Sequence, residues 1–355
     1  MRRATLFALL LAPAGCAPNP QPAVRKAAAW LWAQQESDGG WHSHTYGLLR
    51  SGQSLSPFVL DALLQVPPDV YAPSSDAVDR AVAFILTHMN ATGALGASDP
   101  DIADYPNYAT ALAVSALCRA HRPGWREQIA PMVAYLRSQQ FTEQNDWHPN
   151  DPVYGAWGMG GERRRPPGTG HVDLSMTRYV LDALRAAGAS DQDPAFAAAR
   201  IFVERCQNRD GGFFFSTTEF DTNKAGHDGT NFRSYGSTTA DGILALLAIG
   251  RPAADDRIAA AQHWLAAHHR DMAVPGFTGE AYQRWPQGLA FYYSAASTRA
   301  FQALRQDAGT GVEQALHRAQ RGDGSWSNPE NLVKEDDPLI ATPFAIRALL
   351  RSTAP

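Results

Sequence analysis

The stretch QRGDGSW, from Gln320 to Trp326, has two near copies earlier in the chain. QESDGGW begins at Gln35 and QNRDGGF begins at Gln207, so every copy has Gln, then an Asp-Gly pair, then an aromatic residue. The intervals between the starts are close to three and two multiples of about 57 residues, and a fixed period of this kind marks a repeat fold. We therefore predict six units. In each, Gln ends a helix, Gly forms a left-handed turn and the aromatic residue fills the seam to a neighbouring unit.

A second pattern occurs six times and predicts one helix in each unit. Every copy has Ser or Thr, then an apolar residue, Ala and Leu at the fourth, sixth and seventh positions after it. Apolar residues at this spacing lie on one face of a helix, and the small Ala lets neighbouring helices approach closely. The copies start at Ser56, Thr110, Thr177, Thr239, Ser297 and Thr342, and their alanines are Ala62, Ala116, Ala183, Ala245, Ala303 and Ala348.

An amphipathic segment precedes each of these inner helices and predicts an outer helix. The six segments are Val24–Gln35, Asp76–Met89, Arg126–Gln140, Pro194–Gln207, Asp255–His268 and Gly311–Gln320. Alternating outer and inner helices predict an all-α protein, a single (α/α)6 toroid of six helical hairpins over residues 24–352. An open solenoid is the alternative arrangement of the same hairpins.

The N-terminus predicts export rather than a further folded unit. Two arginines, a short apolar stretch and LAPAGC predict a lipoprotein-type signal peptide over residues 1–16, with Cys16 as the lipidated residue. A secretory peptide cleaved after Ala14 is the alternative. Residues 17–23 are Pro-rich and predict a tether, which would place the domain in the cell envelope, attached to a lipid membrane. The net charge of −4 gives no indication of a nucleic-acid partner.

The repeated string resembles a known motif. Gln-x3-Gly-x-Trp/Phe is similar to the QW motif of squalene and oxidosqualene cyclases, whose helical toroid is shared by protein prenyltransferase β subunits. The resemblance covers about residues 24–351 and implies a terpenoid cyclase/prenyltransferase-like fold. It does not imply one activity, because toroids of this type carry several chemistries.

The residues that carry those chemistries in the related families are incomplete here. A squalene-type cyclase protonates its substrate with the middle Asp of Asp-x-Asp-Asp-Thr. Asp173 and Thr177 match the ends of that string, but Ser175 occupies the position of the middle Asp. The Asp-x-Cys pair that a prenyltransferase zinc site would need is absent from the sequence. We therefore predict no cofactor and no metal, and the reaction stays unassigned.

The loops after the outer helices are long, and in a hairpin toroid they share one end, which we call the long-loop rim. Loops of this length exceed what closing the ring needs, so the rim is the predicted functional face. The predicted catalytic residues are Asp173, Asp336, Asp337, His171 and Tyr235. Crowded carboxylates should raise one another's pKa, although Asp173 is also placed to cap the next helix at Ser175 or Met176. A metal ion shared by His42, His44, His171 and Asp173 is the alternative.

Charged residues are also predicted inside the ring. The second and fifth positions after each repeated Ser or Thr oppose the packed face and should point into the lumen. Among them are Asp61, Asp182, Asp241, Arg299, Gln302 and Arg347. They predict either a paired structural network or a site for a polar ligand. Three functions stay open: an enzyme of the cyclase and prenyltransferase type, a non-catalytic binding or scaffold toroid, and a polysaccharide lyase or hydrolase. Their ligands would be an isoprenoid, a lipid or a glycan.

Overall fold

The computed structural model describes residues 20–97, 104–218, 223–229, 231–307 and 309–350. Within them the chain forms thirteen α-helices and no strand longer than an isolated bridge. The helices are α1 (Gln21–Ala33), α2 (Leu55–Leu63), α3 (Ser75–Thr87), α4 (Pro106–Ala120), α5 (Trp125–Ser138), α6 (Leu174–Ala186), α7 (Pro194–Arg205), α8 (Gly236–Ala248), α9 (Asp256–His268), α10 (Trp285–Gly288), α11 (Ala290–Ala303), α12 (Gly311–Ala319) and α13 (Pro338–Leu349). The predicted signal peptide and Cys16 lie outside the described residues. Helix α1 begins at Gln21, inside the predicted tether.

The helices form a closed ring, which confirms the toroid and excludes the open solenoid. The inner helices contact one another in the order α2, α4, α6, α8, α11 and α13, and α13 packs against α2. The outer helices α1, α3, α5, α7, α9 and α12 pack outside them, and α1 contacts both α13 and α2. The short helix α10 is an addition within the loop before α11. None of the described helices has the length and apolar character needed to cross a bilayer.

The repeated alanines mark the packed face of the inner ring, with one correction. Five of the six are buried, whereas Ala303 is exposed and α11 ends there. Ala300, three residues earlier, is fully buried in its place. The fifth copy of the repeated pattern was therefore aligned three residues too late. Its Ser or Thr position is occupied by Ser294 and not by Ser297.

The QxxDGxW string links neighbouring hairpins through its Gln side chain. Gln35 Nε2 donates hydrogen bonds to the carbonyls of Gly39 in its own turn and of Ala77 in the next outer helix, at 3.0 and 2.9 Å. Equivalent pairs of bonds run from Gln140 to Gly155 and Ala195, from Gln207 to Gly211 and Arg257, and from Gln320 to Gly324 and Ala23. The last pair joins the final outer helix to the first, so it closes the ring.

The repeated Ser or Thr also has a structural role, which the sequence analysis did not identify. Its hydroxyl accepts a hydrogen bond from the backbone N–H of the residue that follows the turn. The five pairs are Ser56 with Trp41, Thr110 with Leu95, Thr177 with Trp157, Thr239 with Phe213, and Thr342 with Trp326, at 2.8 to 3.2 Å. Each bond satisfies a buried donor and fixes the long loop to the start of an inner helix.

Candidate functional site

A cavity of about 380 Å³ lies inside the ring at the long-loop rim, and we call it the rim cavity. All six inner helices contribute to its wall through residues in their N-terminal halves. Its volume falls within the range of small-molecule sites, about 300–1,000 Å³. Its lining includes Leu55, Phe58, Tyr108, Leu112, Met159, His171, Asp173, Ser175, Met176, Phe215, Lys224, Tyr235, Asp241, Leu289, Tyr292, Lys334, Ile340 and Phe344.

The wall of the rim cavity is divided into an apolar and a charged part. Helices α2, α4 and α13 contribute aliphatic and aromatic side chains, among them Leu55, Phe58 and Ile340. The two carboxylates of the wall, Asp173 and Asp241, come from the opposite side of the ring, at α6 and α8. Lys334, in the loop before α13, adds a cation on the apolar side, where its ammonium lies 3.4 Å from the Tyr105 hydroxyl. The helices themselves divide the wall, and the cavity is therefore suited to a largely apolar molecule with a polar end.

Asp173 is at the N-terminus of α6 and binds two groups. Its Oδ1 accepts a hydrogen bond of 2.7 Å from the Met176 backbone N–H, which confirms the predicted helix cap. Its Oδ2 lies 2.8 Å from Nε2 of His171, and that imidazole is 27% exposed while the carboxylate is 5% exposed. Both residues line the rim cavity, and the imidazole is the more exposed of the two.

A buried network lies below this pair and forms the floor of the cavity. Arg178 donates from Nε to Asp241 at 3.0 Å, and Tyr292 donates its hydroxyl proton to the same carboxylate at 2.7 Å. Ser175, at the position where a cyclase has its acid, hydrogen-bonds to the Tyr292 hydroxyl. Burial raises the pKa of Asp241, and the neighbouring Arg178 offsets part of that effect. The chemistry at Ser175 is therefore that of an alcohol, and the Tyr292 hydroxyl links it to the carboxylate of Asp241 on α8.

Lys224 is a charged residue of the cavity that the sequence analysis did not identify. Its ammonium lies 3.4 Å from the centre of the Phe215 ring and 6.0 Å from that of Trp285, in cation–π contacts. Burial lowers the pKa of this amine to about 8, against the opposing effect of Asp173 and Asp241. An ammonium in such a place is a ready donor for an oxygen atom of a ligand.

The five predicted catalytic residues do not all come together. Asp173, His171 and Tyr235 line the rim cavity, whereas Asp336 and Asp337 do not. Asp337 caps α13 at the Leu339 backbone N–H and accepts a hydrogen bond from Ser43, and Asp336 accepts one from Tyr46. The loop before α13 instead reaches the cavity through Leu332, Val333 and Lys334. The expected crowding of three carboxylates is therefore not present, because two of them are bound by the first long loop.

The histidines of the metal alternative are also separated by local pairing. His42 Nε2 lies 3.0 Å from Asp38, and the strongly exposed His44 lies 3.4 Å from Glu36. Within the part of the chain that the structure describes, no three His, Cys, Asp or Glu side chains are grouped so that they could hold a metal ion.

Comparison with known proteins supports the fold. No protein-family profile matches the chain. Squalene–hopene cyclase of Bradyrhizobium diazoefficiens is 25% identical to it over 228 residues, which are 64% of this chain and 26% of that protein. The chain thus spans about a quarter of the length of this curated relative.

Solved structures of the same architecture cover almost the whole chain. The type II terpene cyclase MstE from Scytonema, in complex with the product merosterolic acid A, superposes with a TM-score of 0.60 at 15% identity, over 94% of this chain and 96% of that one. Protein geranylgeranyltransferase-I of Candida albicans, complexed with GGPP, gives 0.56 at 13% identity, over 92% and 89%. At these identities the likeness establishes the fold alone. The chain shares the α/α toroid fold of these terpene cyclase and prenyltransferase structures.

Proposed function

We propose that this protein binds an isoprenoid or a comparable lipid in the rim cavity, with its oxygen-bearing end toward His171, Asp173 and Lys224. The observation that carries the proposal is the division of the wall: apolar side chains from α2, α4 and α13 face two carboxylates from α6 and α8. Such a wall fixes both the position and the direction of an amphiphilic molecule. The isoprenoids bound by the structural neighbours support this ligand class.

The reaction, if the ligand is transformed, differs from alkene protonation by a middle Asp. Ser175 occupies that position and is engaged with Tyr292. The hydrogen-bonded His171–Asp173 pair lines the cavity at the polar end of the proposed ligand and is the candidate general acid–base group. We further propose that lipidated Cys16 holds the toroid at a membrane of the cell envelope, where such ligands are found.

Titration with farnesol and geranylgeraniol, each against the straight-chain alcohol of equal carbon number, tests the binding. Calorimetry should show saturable binding of at least one isoprenoid alcohol. Ile340→Trp should weaken it about tenfold by filling the apolar side, whereas Ile340→Val keeps an aliphatic wall and should bind nearly as the parent does. Absence of saturation with every alcohol, or equal binding by Ile340→Trp, would refute the proposal and favour a scaffold.

A further inference from the structure

A second cavity, of about 760 Å³, lies inside the ring at its opposite end, and we call it the short-loop cavity. The C-terminal halves of the inner helices form most of its wall. Leu112, Tyr292 and Phe344 line both cavities and thus form part of the partition between them. The two ends of the lumen are therefore distinct compartments, and this one has no part in the function proposed above.

One half of the short-loop cavity is electrically balanced. Asp182 accepts two hydrogen bonds from Arg299, at 2.6 and 2.9 Å, and one from Arg178 at 3.1 Å. Arg178 also pairs with Asp241, so two guanidiniums face two carboxylates. Arg185 is engaged by backbone carbonyls and by a surface aspartate. These groups have the geometry of a structural ion-pair network, which is one of the two arrangements that the sequence analysis left open.

The other half carries an excess positive charge. Asp61 is the carboxylate for two guanidiniums: Arg119 donates from Nε to one oxygen at 3.1 Å, and Arg347 from Nη2 to the other at 2.9 Å. Gln65 adds a further donor to the same carboxylate at 2.7 Å. Three side chains thus donate to Asp61, and two of them are cations that share its single negative charge.

Arg347 shows the consequence most clearly. Its side chain is 13% exposed, and its Nε is buried without a hydrogen-bond partner. Buried guanidinium groups are normally saturated with acceptors, so this one lacks an acceptor that the protein does not supply. Arg119 is 46% exposed, and its ion pair with Asp61 engages only Nε. Nη2 of Arg347 also donates to the Phe58 carbonyl, and the guanidinium lies 4.6 Å from the centre of the Phe58 ring. Because Nε is enclosed, Nη1 is the donor that Arg347 can offer to a ligand. Arg119 can offer both of its Nη groups, and the two residues line the same cavity.

We propose that the short-loop cavity binds an anionic group, a carboxylate or a phosphate, between Arg119 and Arg347. The planar guanidinium presents paired N–H donors that match the oxygens of either group. A bound anion, together with Asp61, would balance the two positive charges of Arg119 and Arg347. The wall also contains Leu64, Leu244 and Leu247, so the ligand class is a small organic acid or phosphate ester with some apolar surface.

Thermal unfolding at fixed ionic strength and neutral pH tests this site with inorganic phosphate and with citrate, each against chloride. The melting temperature should rise and saturate with at least one of them. A response to phosphate alone assigns a phosphate ester, a response to citrate alone a carboxylate, and a response to both a general anion site. Arg119→Met should weaken the apparent affinity about tenfold, the loss expected for one charge-assisted bond.

Two further variants make the test specific. Asp61→Asn removes the competing carboxylate and should tighten anion binding, which a merely stabilising salt effect would not do. Arg122→Met is the matched control, because Arg122 lies beside α4 but pairs with Asp79 and Ser75 outside the cavity. No saturation with either anion, or an unchanged response in Arg119→Met, overturns the proposal. If Asp61→Asn fails to fold, the test rests on whether Arg119→Met weakens anion binding while Arg122→Met does not.

Discussion

Gly324→Ala should weaken the contact between the last outer helix, α12, and the first, α1, which closes the ring. Gly324 follows α12 and has a φ of +99°, and a Cβ there would lie 2.8 Å from the Lys26 carbonyl oxygen of α1. Its own carbonyl accepts one hydrogen bond from Gln320, whose second bond, to the Ala23 carbonyl of α1, closes the ring. Alanine would therefore both strain the turn and push α1 away from α12.

The two costs can be estimated separately. An L-residue in a left-handed conformation costs roughly 1–2 kcal/mol more than glycine. Forcing a methyl group into a packed contact typically costs about 1–3 kcal/mol. Because the contact atoms belong to a helix backbone, they cannot move as a flexible side chain would. We expect the free energy of unfolding to fall by about 2–5 kcal/mol, a large part of the 5–15 kcal/mol typical of a folded domain.

Gly322 supplies the control two residues away. A Cβ there would meet no atom within 4 Å, and its φ is not in the left-handed range. Urea unfolding followed by circular dichroism should show Gly322→Ala unchanged or slightly more stable, and hydrogen exchange should show reduced protection of α1 in Gly324→Ala only. Equal stability of the two variants would refute the assigned role of the turn in closing the ring.

Three other substitutions test the polar groups. Asp173→Ala removes the cap at Met176 and should cost about 1 kcal/mol in urea unfolding; an unchanged midpoint would contradict the cap. Burial raises the pKa of Glu335 to about 7 from 4.5, so the folded state keeps a proton that the unfolded chain releases. Relative to Glu335→Gln, the parent should lose about 3 kcal/mol of stability as pH rises from 4.5 to 7; a pH-independent difference would disprove this. Arg178→Met leaves Asp241 unpaired and should cost about 3–5 kcal/mol at pH 8. The cost should become smaller as the pH is lowered, because burial raises the pKa of Asp241 and protonation removes the unpaired charge; a cost that does not change with pH would contradict the pairing.

The repeat could be predicted from the sequence because each of its positions has a geometric reason. Gln320 and Gly324 hold the last outer helix against the first, and the buried alanines let the inner helices pack closely. Gln140 has the same role as Gln320, but an insertion separates it from Gly155, so the string is not visible there. A contact that depends on the folded path of a long loop leaves no fixed spacing to recognise.

The candidate site was only partly predictable for the same reason. Asp173 and His171 precede an inner helix at a fixed position, whereas Lys224 reaches the cavity from within a long loop. Arg119 did have a sequence signal. Arg119 lies nine residues after Thr110. At about 100° per residue, its side chain points in a direction between those of the second and fifth positions after Thr110, which were already assigned to the lumen. Extending the lumen face by one turn would have identified it.

The division of the lumen constrains what the rim cavity can hold. Arg178 contacts Asp241 and Tyr292 on one side and Asp182 on the other, so the partition is built from paired charges. An apolar chain that crossed it would have to separate these pairs in a buried setting, which costs several kcal/mol. A long ligand would therefore have to extend outward past the rim rather than through the ring. The inner end of such a ligand would then lie at the floor, against Ser175 and Tyr292, whose hydroxyl groups are hydrogen-bonded to each other.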